Sequence, residues 1–442
     1  MGTPKNNATF DIQHEFGYYT SFDAKLDGDS KDTQNSGAYI FRPSTPEQAL
    51  QTLAPIVTAR FQNISTNCLE VHVSYEDGWV ESTFRVLPGQ PYLELEYTVG
   101  PIPIKDGRGK EVVSRLTTSN ISQDNVYYTD SNGREFITRQ KNFRPTWDLT
   151  VFEPVAGNYY PVNAAIFVED STGTSALAIA TDRSQGGASL SDGSIDLMVH
   201  RRTLTDDARG VGEPLNETDG GVTPYPPYGK ASRYGDGLII RGKHRILVGT
   251  DGGASLARSV MDSSFAEPFI FVGSSSMEEE KDVPFRVFNF TGISSDGLPP
   301  NIMLMTRVRL KDDGSPIPKI QFLIRLSHQY GVGDAESEEL SKPVSVDLAN
   351  CCLPPGFLFK EIKELTLSGN QHHSVWTKSR LNWSVGDKHD PKIIKNDTSR
   401  QRERQQKGSQ IELKPMDIRT FQVTVALRVD DIKADMSNAS DS

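Results

Sequence analysis

An all-β protein assembled from antiparallel sheets is the fold class that this 442-residue sequence predicts, and three observations carry the prediction. Apolar residues recur with period two, as in Leu93-Glu-Leu95-Glu-Tyr97-Thr-Val99, so that alternate side chains face a core and the others face water. Residue pairs that accept positive φ punctuate these runs: Asp77-Gly78, Asp106-Gly107, Asn132-Gly133, Asp192-Gly193, Asp236-Gly237, Asp296-Gly297 and Asp313-Gly314, each expected to close a hairpin. Helical periodicity is nearly absent. Only Glu47 to Val57 reads as a helix, and Pro55 shortens it.

Taken in order, alternation predicts strands at Val71 to Tyr75, Leu93 to Val99, Ile195 to Val199, Ile302 to Leu310, Phe322 to Leu326 and Phe421 to Leu427. Polar stretches at Gly273 to Asp282 and Gly331 to Pro343 read as joints. The expected organisation is a large sandwich over residues 1–265, a small β segment over 266–345 and a C-terminal β domain over 346–442. Residues 387–408, with Arg400-Gln-Arg-Glu-Arg-Gln-Gln-Lys407, have almost no apolar residue and read as a mobile loop of that last domain, since the strand pattern resumes at Ile411. Acidic neighbours dilute the basic run as a binding patch. No repeat of fixed period is present.

Forty-seven basic residues against fifty-eight acidic ones give a net charge of −11, which offers no field for nucleic acid or an anionic membrane. No apolar run approaches the roughly 20 residues that span a bilayer. The opening Met1-Gly-Thr-Pro-Lys-Asn-Asn7 lacks the pattern of a secretory signal. Yet eight of nineteen Asn stand in N-x-Ser/Thr acceptors, at Asn7, Asn63, Asn120, Asn216, Asn289, Asn382, Asn396 and Asn438, well above chance placement. The two facts together suggest the tail of a longer lumenal precursor. Cys68, Cys351 and Cys352 form neither a dense disulfide framework nor a metal knuckle. Buried free thiols are expected, with one long-range bridge from Cys68 left open.

Self-contained catalysis finds no support in the residue patterns. His14-Glu-Phe-Gly-Tyr18 fails the HExxH zinc motif at its last position, and there is no nucleophile elbow, phosphate loop or dinucleotide fingerprint. His372-His373, as strand neighbours, would point to opposite faces and cannot chelate one ion. Asp130-Ser-Asn132-Gly133 opens like a calcium loop but lacks its distal Glu, so it reads as a hairpin turn. Asp206-Asp207 is conspicuous, but adjacent side chains diverge and Arg209 favours an ion-pair network over a glycosidase carboxylate pair. The catalytic and metal-ligand sets predicted from these patterns are therefore empty. Several glycine-flanked polar stretches remain: Ser36-Gly-Ala-Tyr39-Ile-Phe-Arg-Pro43, Gly157-Asn-Tyr-Tyr-Pro161, Asp182-Arg-Ser-Gln-Gly-Gly187 and His200-Arg-Arg-Thr-Leu-Thr-Asp-Asp-Ala-Arg-Gly-Val-Gly212. Their Tyr and Arg suit a carbohydrate surface, by ring stacking and a planar donor fork; tyrosine corners and glycine turns of a β-sandwich would read the same way.

These stretches, with Tyr97-Thr-Val-Gly-Pro-Ile-Pro103, Tyr128-Thr-Asp-Ser-Asn-Gly-Arg-Glu-Phe136, Pro154-Val-Ala-Gly-Asn-Tyr-Tyr-Pro-Val-Asn163 and Pro415-Met-Asp-Ile-Arg-Thr-Phe421, closely resemble the C-terminal region of the lysosomal-type α-mannosidases, glycoside hydrolase family 38, in order and across nearly the whole chain. The resemblance implies a galactose-mutarotase-like supersandwich followed by smaller β-sandwich domains, packed behind an α/β catalytic domain. It implies a retaining, zinc-dependent enzyme acting on terminal α-D-mannose of N-glycans in a lysosome or vacuole lumen. In the family, two His and two Asp hold the zinc and an Asp is the nucleophile, all N-terminal to the Ser-Gly-Ala-Tyr motif, so this chain alone is expected to hold no zinc or other cofactor and to be inactive. Its expected partners are a mannose-containing oligosaccharide and that catalytic domain. Two positions carry over as substrate contacts, Tyr39 and Arg209, with Asp207 as the orienting partner of Arg209. A stand-alone carbohydrate-binding or mutarotase-like β protein is the alternative reading.

Overall fold

The computed structural model describes residues 10–28, 32–63, 67–75, 78–220, 236–265, 297–310, 320–334, 339–353, 357–379, 381 and 408–427. The chain forms two compact units, residues 1–270 and 271–442.

Unit 1 is built from β1 (Ile12–Thr20), β2 (Gln51–Thr52), β3 (Pro55–Asn63), β4 (Cys68–Tyr75), β5 (Val80–Val86), β6 (Leu93–Val99), β7 (Lys110–Thr118), β8 (Val126–Ser131), β9 (Glu135–Gln140), β10 (Tyr160–Val162), β11 (Ala165–Glu169), β12 (Ala176–Thr181), β13 (Gln185–Ala188), β14 (Ser194–Arg202) and β15 (Ile240–Gly249), followed by helix α1 (Gly253–Phe265). One sheet has six strands in the order β10-β13-β14-β7-β1-β2, the other nine in the order β3-β4-β5-β6-β15-β12-β11-β8-β9. Neighbouring strands in both sheets run antiparallel, as period-two alternation requires of sheets with one face on a core. Leu95, Leu116, Ile166, Ile179, Ile195 and Leu197 are fully buried in a shared core.

β12 departs from alternation for a physical reason. Leu177 and Ile179 belong to the sandwich core, while Ala178 and Ala180 on the opposite face pack with Ala257, Val260 and Met261 of α1. Both faces are covered, so all six β12 residues are buried. Small side chains let the helix come close; a Cβ on Gly253 would collide with the Phe167 ring. The six-stranded sheet is likewise covered on its second face, where Tyr19 and Val113 pack with Val155, Phe41 and Tyr159.

Unit 2 contains β16 (Ile302–Arg309), β17 (Ile320–His328), β18 (Val344–Asp347), α2 (Leu348–Cys351), β19 (Phe357–Leu365), α3 (His373–Ser379), β20 (Gln410–Leu413) and β21 (Ile418–Leu427). Four strands pair in the order β16-β17-β21-β19, and β18 pairs with β20. Ile324, Leu326, Leu348, Cys352, Leu413, Phe421 and Val423 form its core.

Several expectations change. No helix forms at Glu47 to Val57: Gln51–Thr52 pairs with β1, and Pro55 opens β3. β3 lies at a sheet edge, where the first residue of a strand can lack an N–H without costing a ladder bond. The helix that does form, α1, carries Ala257, Val260 and Met261 at helical spacing on its buried face. Asn132-Gly133 closes the β8–β9 hairpin, both residues at positive φ. Asp106-Gly107 instead lies on the crossing from β6 to β7, in different sheets, and Gly237 pairs with Thr218 outside the positive-φ region. Asp77, Asp296, Asp313-Gly314 and the basic run at 400–407 lie outside the described residues.

The cysteines also differ from the free-thiol expectation. Cys351 and Cys352 form a disulfide, and Cys68 is free and half-buried. Adjacent Cα atoms are 3.8 Å apart in any fold, and the turn ending α2 brings the two sulfurs together. Of the acceptor asparagines, Asn120 is exposed after β7, whereas Asn216 is half-buried and its Oδ1 accepts from Arg202 Nε at 2.6 Å. Asn63 ends β3; Asn7, Asn289, Asn382, Asn396 and Asn438 lie outside the described residues.

Candidate functional site

The register of β7 against β14 places Glu111 directly opposite Arg201. Glu111 is 1% exposed, and Arg201 closes on it with two parallel bonds, Nε to Oε2 at 2.7 Å and Nη2 to Oε1 at 2.8 Å. Oε1 also accepts from Ser36 Oγ at 2.9 Å. The other Arg201 donors reach the carbonyls of Ala38 at 3.3 Å and Ile40 at 3.1 Å. One buried ion pair thus staples the 36–40 segment onto the sheet. Arg42 continues the staple by bridging Asp32 at 2.5 Å and Glu153 at 2.8 Å.

Above this staple, Asp207 is 1% exposed and accepts only main-chain N–H groups: Tyr39 at 2.6 Å and Ile40 at 3.0 Å on Oδ2, and Arg209 at 3.1 Å on Oδ1. Gln34 Nε2 donates to the Asp207 carbonyl at 2.8 Å and Asn35 Nδ2 to the Asp206 carbonyl at 2.9 Å. Gly37 is required here because a Cβ would lie 2.6 Å from the Asp207 nitrogen. The turn passes through Ala208 at φ 56° and Gly210 at φ 124°, which carries Arg209 outward.

The two carried-over positions therefore share one carboxylate through their backbones, and their side chains are exposed, Tyr39 by 67%. Asp207 does not pair with the Arg209 guanidinium, which instead donates to Gln34 Oε1. A carboxylate surrounded by three N–H groups is saturated by the nearer backbone donors. Gln34, Asn35, Glu111 and Arg201 were not singled out by sequence reasoning; of these, only Arg201, inside the His200 to Gly212 stretch, carried a signal.

The remaining polar stretches build scaffold. Tyr159 donates to Asp196 Oδ2 at 3.0 Å, and Arg115 grips the same carboxylate at 2.6 and 2.8 Å. Burial, then the Asp196 charge, holds the Tyr159 hydroxyl well above the usual tyrosine range. Asn158 is buried and exchanges bonds with Asn142 at 2.8 and 2.7 Å. Asp182 pairs with Arg183, and a Cβ on Gly187 would lie 2.6 Å from Val162. Asp130, at the turn that opens like a calcium loop, accepts four main-chain N–H groups, from Gly133, Asn163, Ala164 and Ala165. His372 and His373 are not strand neighbours: His372 bridges to Leu365, and His373 opens α3. Among the described residues no three His, Cys, Asp or Glu side chains converge to hold a metal ion, so the zinc implied by the resemblance finds no donor set there. Among those residues no helix is long and apolar enough to cross a membrane.

Residues 5–209 match the glycosyl hydrolases family 38 C-terminal domain. Those residues carry that family's C-terminal domain signature. Lysosomal alpha-mannosidase of Bos taurus is 36% identical over 426 residues, which is 95% of this chain and 38% of the relative. The Homo sapiens protein of the same name is 37% identical over 404 residues, 90% of this chain and 35% of the relative. The chain thus spans little over a third of the length of these relatives. A solved structure of a glycosyl hydrolase family 38 protein from Enterococcus faecalis aligns at a TM-score of 0.47 and 10% identity, covering 92% of this chain and 40% of that one. The Tyr39 loop lies inside the matched family 38 region, which ends at Arg209.

Proposed function

We propose that this chain is the C-terminal part of an α-mannosidase that removes terminal α-D-mannose from N-glycan oligosaccharides, and that Tyr39 and Arg209 complete its substrate cleft. The observation that supports the reading is the shared clamp on Asp207. The backbones that carry two exposed polar side chains, on distant segments, are held by one buried carboxylate, an arrangement that suits positioning a sugar better than proton transfer. Tyr39 offers a hydroxyl and a ring face, and Arg209 a planar fork for vicinal hydroxyls. Proton transfer, nucleophilic attack and zinc belong, in this reading, to a catalytic α/β domain that packs against the chain. The intact protein works in a lysosome or vacuole lumen, with glycans on exposed acceptors such as Asn120.

Two measurements test the reading. The chain by itself is expected not to hydrolyse an aryl α-mannoside; hydrolysis that a chelator abolishes would place the whole reaction here instead. In enzyme assembled with its catalytic domain, Tyr39→Phe removes one neutral hydrogen bond of about 0.5–1.5 kcal/mol, so kcat/KM falls about 2-fold to 12-fold at unchanged melting temperature. Wild-type kinetics in both Tyr39→Phe and Arg209→Ala would remove these residues from the cleft.

A further inference from the structure

Unit 2 holds a groove that this reading does not use. It has a volume of about 700 Å3, in the range of small-molecule sites, and is walled by the turn after β19, by α3 and by the start of β21. The turn is cross-linked: Leu365 bridges to His372, Thr366 N–H donates to the Gln371 carbonyl at 3.0 Å, and Gly369 N–H donates to the Thr366 carbonyl at 2.8 Å. Asn370 Oδ1 accepts from Thr366 Oγ1 at 2.7 Å and from Ser368 Oγ at 2.8 Å, which fixes the amide and leaves its nitrogen as a donor. Gln371 beside it is exposed. Across the groove, Trp376 is 36% exposed, with its ring 5.5 Å from His373.

The floor disfavours anionic ligands. Arg419, 4% exposed, is held by both Glu364 oxygens at 2.8 and 2.6 Å and by the Glu412 carbonyl at 2.6 Å. Its charge is therefore already satisfied. With Asp417 also on the wall, the lining has two carboxylates against one guanidinium, so an anion is repelled. A half-exposed indole, a fixed amide donor and a second amide around a groove of this size match a neutral polyhydroxylated ring, which stacks by its apolar face and is fixed by its hydroxyls.

We propose that this groove is a sugar-binding site, taking one or two mannose units of an oligosaccharide, with Trp376 as the stacking platform and Asn370 and Gln371 as hydroxyl partners. The sugar class rests on the groove itself; the choice of mannose rests on the function proposed above. The test titrates the chain with α-mannobiose, and in parallel with chitobiose, by calorimetry and saturation-transfer NMR. Saturable α-mannobiose binding is expected that weakens at least 10-fold in Trp376→Ala and several-fold in Gln371→Ala, and that survives Arg209→Ala. Both groove side chains are exposed, and melting curves measured alongside separate lost binding from lost folding. Absence of sugar binding, or binding that Trp376→Ala leaves intact, overturns the site. Trp376-dependent binding of chitobiose alone overturns the mannose assignment, while Tyr39 and Arg209 are still judged by their own kinetics.

Discussion

Asp207 accepts main-chain N–H groups from its own turn and from a segment 168 residues earlier, which makes one carboxylate the positional reference for Tyr39 and Arg209. Asparagine offers one acceptor oxygen where the carboxylate offers two, and it turns an amide nitrogen toward an N–H. Asp207→Asn is therefore expected to cost about 1–3 kcal/mol, read as a lowered melting temperature. Gly37→Ala reaches the same clamp from the other side, because its Cβ would press on Asp207 backbone, and should lower stability as well. An unchanged melting temperature in both variants would show that the clamp is not what holds this loop. Tyr39 and Arg209 were pointed to only by the resemblance of their flanking motifs, and it is the pairing of their segments on Asp207 that the structure adds. Glu111 was not legible at all, since a glutamate in Lys110-Glu-Val-Val113 reads as an outward residue of an alternating strand. Its inward role depends on β7 being covered on both faces, a property of the sheet rather than of the segment.

Among the elements, strands with one covered face were the legible ones: Leu93–Val99 forms as predicted and alternates from Leu95 to Val99, although Glu94 is buried. β12 and α1 show the opposite case, where the second covered face erases the period in the strand and supplies the partner for a helix whose own apolar stripe is short. Glu47 to Val57 failed because an edge position tolerates the proline that appeared to punctuate a helix. The pairing of β7 with β14 also makes a prediction. Glu111→Gln keeps the shape but leaves Arg201 facing a neutral amide in a buried site, a change of about 3–5 kcal/mol if the pair is broken outright. Hydrogen exchange at amides 36–42 should accelerate while the β7–β14 ladder stays protected; equal protection in the two proteins would remove the staple from the account.

At the scale of the whole molecule, acidity acts on the sandwich interior. His244 is fully buried, its Nε2 meets Gln185 Oε1 at 2.9 Å, and its Nδ1 has no hydrogen-bond partner. Burial pushes its pKa down to about 4, against an opposing effect from Asp182 and a small reinforcing one from Arg183. His14, packed among Phe16, Phe84 and Tyr75, is pushed down to about 3, first by burial and then by His244. A histidine whose folded pKa is depressed gives its full stability above the unfolded value near 6.5 and loses it as the pH falls toward the folded value. At pH 5 the loss is about 2 kcal/mol per histidine. Melting temperature should therefore fall between about pH 6.5 and pH 4, and His244→Gln should flatten that fall; a parallel pH profile in the variant would exclude His244 as its cause.

The register that sets Glu111 against Arg201 has one more outcome. The segments bearing Tyr39 and Arg209 are joined by the β1–β7–β14 ladder and by the bonds of Asp207, Gln34 and Asn35, not by the peptide chain that runs between them. The intervening chain includes the exposed turn from Asp170 to Ser175, which makes its bonds within itself. Backbone continuity through that turn is dispensable for the clamp: a protein cleaved there by a protease would remain one particle, with both segments still held on Asp207.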